Sequence, residues 1–158
     1  MDDAKQDFAY RNSENREDIA QRMAEEYFTR KKIFWRILGS DPKDDDPIPR
    51  DMFLKMPPLI QKMPDMFAIN SKFVFVEVKG CKEYLKLKLD DWVQYVQWNE
   101  IAKVMFFIYS ASEQKSFLFY LEAFHGMLET ATIGKYNDNG KVYFEIPIIK
   151  LEPFIIAQ

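Results

Sequence analysis

Apolar positions along this chain change their spacing from one stretch to the next. Between Asn15 and Lys32 they recur every three or four residues: Ile19, Met23 and Tyr27, with Ala20, Ala24 and Phe28 beside them. That period predicts an amphipathic helix. Asn15 or Ser13 would cap it, Glu17 and Asp18 would lie in the first turn, where the helix dipole favours acids, and Arg30, Lys31 and Lys32 would close the last turn. Ile33 to Leu38 is a short apolar run that reads as a strand. Gly39 to Pro49, with three prolines and four aspartates, excludes regular structure. Its Asp44-Asp45-Asp46 lacks the alternating ligands, central Gly and final Glu of a calcium loop. Asp51 to Lys62 predicts a short helix, broken at Pro57-Pro58.

The period then drops to two. Lys62 to Gly80 reads as two strands joined at Asn70-Ser71, with Asp65 at the start of the first. Phe73 to Lys79 is rich in β-formers and bounded by Ser and Gly. Alternation puts Phe73, Phe75, Glu77 and Lys79 on one face and Val74, Val76 and Val78 on the other. A run apolar on both faces suits a central strand, and Glu77 and Lys79 interrupt it at its end. Gly80 to Tyr84 reads as a connection and Leu85 to Leu89 as an alternating strand with lysines on one face. A helix follows to about Lys103, capped by Asp90 or Asp91, with Trp92, Val93, Val96, Ile101 and Ala102 along one side. Val104–Tyr109, Phe117–Phe124, Ile133–Tyr136 and Val142–Ile149 are strand candidates, and Asn139-Gly140 marks a tight turn before the last. His125 to Leu128 reads as a short turn or helix, and the tail with Pro153 as an edge segment. Helix, strands, helix, strands predicts an α/β sandwich with a mixed central sheet.

Length and composition narrow the chemistry. The 158 residues suit one domain with a real core, preceded by a polar, acidic arm over residues 1–14. A net charge of −3 gives no global nucleic-acid signature, so such a partner needs local basic residues or metal-neutralised carboxylates. The single cysteine, Cys81, excludes an internal disulfide and a cysteine zinc site. The single histidine, His125, excludes histidine metal clusters and two-histidine mechanisms. No Gly-rich nucleotide loop and no Gly-x-Ser-x-Gly elbow occurs. No signal-type apolar stretch stands at the N-terminus, and no run nears the ~18 apolar residues of a membrane span. A reducing, cytoplasmic setting is the simplest expectation.

What remains is carboxylates with a lysine. Asp65 and Glu77 on adjacent strands can converge on one point, which suits a hard divalent cation. Lys79 lies ~6.6 Å beyond Glu77 at ~3.3 Å per residue, a spacing that predicts a role on a water rather than direct neutralisation of Glu77. Pro64-Asp65, eleven intervening residues, then Glu77-Val78-Lys79 resembles the PD-(D/E)xK nuclease motif. That superfamily includes restriction endonucleases, phage exonucleases and archaeal Holliday-junction resolvases. Its core of helix, three-stranded meander, helix and strand is similar to residues 15–109 here.

The resemblance implies a restriction-endonuclease-like three-layer sandwich. It also implies phosphodiester hydrolysis of DNA with Mg2+, for which Mn2+ substitutes, leaving 5′-phosphate and 3′-hydroxyl ends. By the same resemblance Asp65, Glu77 and the Val78 carbonyl would hold the metal and Lys79 would orient the attacking water. Glu17, in Glu17-Asp18-Ile19-Ala20, would be the helix acid, with Glu25 and Glu26 as competitors. Gln94, four residues before Trp98, would be the helix glutamine, although the family pattern has Tyr at the later position. Phe144-Glu145-Ile146-Pro147 is similar to a late strand of some relatives. Lys82, Lys86 and Lys88, with Arg30, Lys31 and Lys32, are candidate phosphate contacts. Each is equally an ordinary solvated charge. A homodimer is expected where two DNA strands need two sites, in a bacterial or phage-infected cell. A catalytically inactive DNA-binding module and a phage-encoded factor acting through a protein partner are the other readings.

Overall fold

The computed structural model describes residues 14–38 and 48–157, with side chains undescribed at 14–18 and 50. The expected arm, except residue 14, and most of the Asp-Pro loop, including Asp44-Asp45-Asp46, lie outside the described residues. Helix α1 (Glu14–Arg30) leads into β1 (Phe34–Ile37). Two short helices, α2 (Arg50–Phe53) and α3 (Pro58–Gln61), precede β2 (Met66–Ile69) and β3 (Phe73–Cys81). Next come β4 (Tyr84–Lys88), α4 (Leu89–Ile101), β5 (Val104–Ser110), β6 (Lys115–Tyr120) and α5 (Ala123–Leu128). The chain closes with β7 (Thr132–Lys135), β8 (Val142–Pro147), a 3-10 helix (Ile148–Phe154) and β9 (Ile155–Ile156).

Among the described residues the strands form two sheets. The larger has the order β1-β2-β3-β5-β6-β9 and the smaller β4-β8-β7. β1, β2 and β3 make an antiparallel meander, β5 joins β3 in parallel after the α4 crossover, and β6 and β9 return antiparallel. The central sheet is therefore mixed, and β3 lies inside it as its two apolar faces require.

α1 covers one face of this sheet. Ala20, Ala24 and Phe28 are buried on the predicted stripe, and Ala24 and Phe28 pack with Met66, Ala68, Val74, Val76 and Phe107. The opposite face carries the larger core, where Phe75, Phe106 and Phe119 meet Tyr95 and Trp98 of α4, and Leu85, Leu87 and Ile146 of the small sheet. Helices and the small sheet thus sandwich the central sheet. No helix among the described residues is long and apolar enough to cross a membrane.

Several local expectations change. Asn15 is the second residue of α1 rather than its cap, and Lys31 and Lys32 lie beyond the helix, Lys32 with φ 56°. Gly80 and Cys81 extend β3, because the parallel pairing with β5 runs on to Cys81–Ser110. Phe124 belongs to α5, since β6 stops at Tyr120. On α4, Val93, Val96 and Ile101 are exposed, and Asp91, Tyr95 and Trp98 are buried. The buried stripe is rotated from the expected one because Trp98 docks on Phe75, with ring centroids 5.0 Å apart, and donates Nε1–H to the Leu59 carbonyl at 3.0 Å. Lys88 is the N-cap of α4, and Asp90 and Asp91 lie in its first turn.

Candidate active site

β2 and β3 pair Met66 with Val76, so the next step of the register sets Asp65 opposite Glu77 on one face. Asp65 Oδ2 accepts the Val78 N–H at 2.7 Å, and the Asp65 carbonyl accepts the Leu38 N–H at 2.9 Å. These bonds hold Asp65 at the open end of the meander. The N–H and C=O of one strand residue point to the same edge, so the Val78 carbonyl turns towards the Asp65 side as well.

Glu77 is 3% exposed, and a buried carboxylate needs charge and hydrogen bonds around it. Lys79 Nζ and the Tyr95 hydroxyl both donate to Glu77 Oε1 at 2.5 Å, and Lys79 Nζ lies 3.3 Å from the Tyr95 oxygen. Lys79 therefore contacts Glu77 directly, contrary to the expectation from strand spacing. Its four-carbon stem folds back along the strand, and a buried carboxylate draws the nearest cation. Burial works to lower the Lys79 pKa, but Glu77, then Tyr95, Asp91 and Asp65, outweigh it and hold the ammonium well above its usual range. Burial and the Glu77 charge push the Tyr95 phenol well up, so it stays protonated and donates.

A second buried acid stands beside this group. Lys62 Nζ approaches Asp91 Oδ1 at 2.9 Å, a close ion pair. Burial would raise the Asp91 pKa, but the cations of Lys79, Lys62 and Lys88 outweigh it and bring it down. Lys62 precedes Pro64-Asp65, so the pair ties the segment that delivers Asp65 to the start of α4.

Sequence reasoning singled out Asp65, Glu77 and Lys79, which lie together in the fold, and did not single out Tyr95, Asp91 and Lys62, which stand beside them. Asp91, Tyr95 and Trp98 fall at i, i+4 and i+7, a helical stripe that shows once an Asp and a Tyr are allowed on it. Gln94 is half-buried one position before Tyr95, which is the α4 side chain on Glu77.

The other candidates spread out. Gln21 donates to Glu25 Oε1 at 3.0 Å and approaches the Met66 sulfur at 3.9 Å, so the early turns of α1, Glu17 among them, cross the Asp65 end of the sheet on the far face. Glu26 is exposed and lies 3.9 Å from Arg22. Arg30 donates to the Ala157 carbonyl at 3.1 Å, and Lys31 stands 5.9 Å over the Tyr27 ring. With Lys32, they precede β1, whose Phe34 pairs with Ile69 at the far end of the meander from Glu77. Lys82 is exposed just after β3, and Lys86 and Lys88 are half-buried on β4.

His125 is exposed on α5 with its ring 6.0 Å from Trp92. Cys81 is buried, and burial pushes its thiol up to about 12.

Among the described residues no group of three or more His, Cys, Asp and Glu side chains gathers as metal ligands. The donors such a site would offer are the carboxylates of Asp65 and Glu77 and a main-chain carbonyl. Such a hard, oxygen-only set fits a magnesium-type cation, which takes one or two carboxylates and keeps several waters.

No protein-family model and no curated protein matches the chain. Solved structures do. The chain is similar to Archaeoglobus fulgidus Hjc, a Holliday junction resolvase from an archaeal hyperthermophile, at 13% identity and a TM-score of 0.50, over 84% of this chain and 92% of that one. It is also similar to D212, a nuclease from a fusselovirus, at 9% identity and a TM-score of 0.44, over 83% and 79% of the two chains. The chain has a restriction-endonuclease-like fold, and its register brings Pro64-Asp65 and Glu77-Val78-Lys79 side by side at the end of the central meander.

Proposed function

We propose that the chain is a divalent-cation-dependent deoxyribonuclease that hydrolyses phosphodiester bonds. The observation that carries this reading is the register that sets Asp65 opposite Glu77, with Lys79 on the Glu77 carboxylate. Asp65, Glu77 and the Val78 carbonyl would hold the cation, Mg2+ or Mn2+. Such a cation polarises a phosphoryl oxygen and lowers the pKa of a coordinated water. The Lys79 ammonium, which lies 2.5 Å from Glu77 Oε1, would orient the attacking water in line with the leaving oxygen. Tyr95 keeps a hydrogen bond on Glu77 and fixes its carboxylate plane. Asp91 holds the surrounding lysines in place.

The resolvase likeness makes branched DNA the first substrate to try. Cleavage of both strands of a junction would use two copies of the chain, each bringing one site. The test is incubation of the full chain with single-stranded, linear duplex, supercoiled and four-way-junction DNA, with Mg2+ or Mn2+ and with chelator. Wild type is expected to cut at least one form only when the cation is present, and Lys79→Ala is expected not to. Equal cutting by both proteins, or by neither, overturns the reading.

A further inference from the structure

The small sheet has one face in the core and one turned outward. Leu85, Leu87 and Ile146 point inward. Alternation turns Tyr84, Lys86 and Lys88 of β4, and Tyr143 of β8, to the other side. Tyr84 is 47% exposed. The Tyr143 ring packs on Tyr136 with centroids 4.4 Å apart, and Lys86 Nζ stands 4.8 Å over Tyr143. A Cβ on Gly134 would meet the Tyr143 ring at 2.4 Å, so the glycine is what lets this ring lie across the neighbouring strand.

The same face is basic and loosely paired. Lys86 lies 3.9 Å from Glu145, and Lys141, at the rim, lies 3.8 Å from Asp90. Pairs this long gain little Coulomb energy, so both lysines can exchange partners at small cost. Burial lowers the Lys88 pKa, and the charge of Asp91 on one side is opposed by Lys79, Lys62 and Lys141 on the other. Lys88 thus feels the like charges of Lys79, Lys62 and Lys141, and it is itself the N-cap of the helix that brings Asp91 and Tyr95. An added anion at Lys88 would offset that repulsion.

We propose that the outward face of the β4-β8-β7 sheet binds an unpaired stretch of the DNA cut at Glu77 and Lys79, with bases on Tyr84 and Tyr143 and phosphates on Lys86, Lys88 and Lys141. This rests on the nuclease reading and adds the substrate class: DNA with a single-stranded segment beside the scissile phosphate. A duplex hides the faces of its bases, so an aromatic platform acts on an unpaired strand. Base stacking on tyrosine is tolerant of sequence, and each phosphate met by a lysine releases counterions.

The experiment uses the full chain in chelator, with fluorescein-labelled single-stranded DNA, duplex, and duplex bearing a single-stranded flap. Salt is varied, and cleavage with Mg2+ is measured separately. Wild type is expected to bind the two DNAs with unpaired bases at least ~10-fold tighter than the duplex. Tyr84→Ala with Tyr143→Ala is expected to remove that preference, whereas Tyr143→Phe keeps it, because stacking needs the ring and not the hydroxyl. Lys88→Ala with Lys141→Ala is expected to reduce the slope of log affinity against log salt by ~1.4, at ~0.7 per phosphate on a single strand.

Equal affinity for duplex and single strand overturns the proposal. So does a tyrosine double variant that binds as wild type, or equally strong binding of poly-glutamate. If wild type binds and cuts while the variants bind unchanged, the platform alone fails. If wild type neither binds nor cuts, the nuclease reading fails with it.

Discussion

Val74, Val76 and Val78 face α1 across a layer of Ala24, Phe28, Met66 and Phe107. Phe75, Glu77 and Lys79 face α4, where the apolar layer ends at Tyr95 and Asp91. The two faces alternate residue by residue along one strand. The first is held by apolar area alone. The second is apolar as far as Phe75 and Trp98, then changes to a cluster of charges that satisfy one another. Glu77, with its neighbours Lys79 and Tyr95, has a stability cost that a Val or Leu there would avoid. A sheet end that accepts this cost on one face only is where the proposed chemistry would take place.

Mutations on the two faces should therefore fail differently. The largest effect is expected on the apolar face. Phe28→Ala should lower unfolding free energy by about 3–5 kcal/mol in urea titration while leaving cleavage per folded molecule intact. A loss of cleavage without loss of stability would break the comparison. On the other face, Lys79→Ala should reduce the cleavage rate by about 10²–10³-fold, the effect typical of removing one aimed cation or donor at a developing charge. It also leaves Glu77 buried without its cation, so Mn2+ should raise the melting temperature of Lys79→Ala more than that of wild type. Equal shifts in a thermal melt would count against metal binding at Glu77.

Tyr95→Phe removes one of the two donors to Glu77 and should cost about 1–3 kcal/mol of stability. Its weakening of metal affinity, read by calorimetry, would show that the hydroxyl orients the carboxylate.

Cys81 sharpens the comparison at the end of the strand. Its thiol, ordinarily near 9.0, is pushed up to about 12 by burial. The folded form then holds a proton that the unfolded form loses, so its contribution falls as pH rises from about 9 towards 12, by at most ~1.4 kcal/mol per unit. Cys81→Ala should flatten that part of the stability curve relative to wild type, and the folded thiol should resist alkylation at pH 8. The smallest effect belongs to α4. Val96→Ala, next to Tyr95 but exposed, should change stability by less than ~0.5 kcal/mol.

The sequence by itself determined much of this. The spacing of Ala20, Ala24 and Phe28 specified the buried side of α1, because only one face of a helix can reach a sheet. The run from Phe73 to Lys79 specified an interior strand, because side chains on both of its faces need cover. Asp65, Glu77 and Lys79 were legible because a carboxylate pair and a lysine on apolar strands have no packing reason to be there.

Tertiary structure decided the rest. Val93, Val96 and Ile101 are as apolar as any core stripe, and local pattern cannot say which side of α4 meets the sheet. The docking of Trp98 on Phe75 and Leu59 rotated it, and that rotation brought Tyr95 onto Glu77 and Asp91 to Lys62. Strand spacing likewise kept Lys79 apart from Glu77, whereas burial brought the ammonium onto the carboxylate. Period and composition are local properties and can be read along the chain. The partner of a buried charge depends on which elements exclude water around it, and only the folded arrangement sets that.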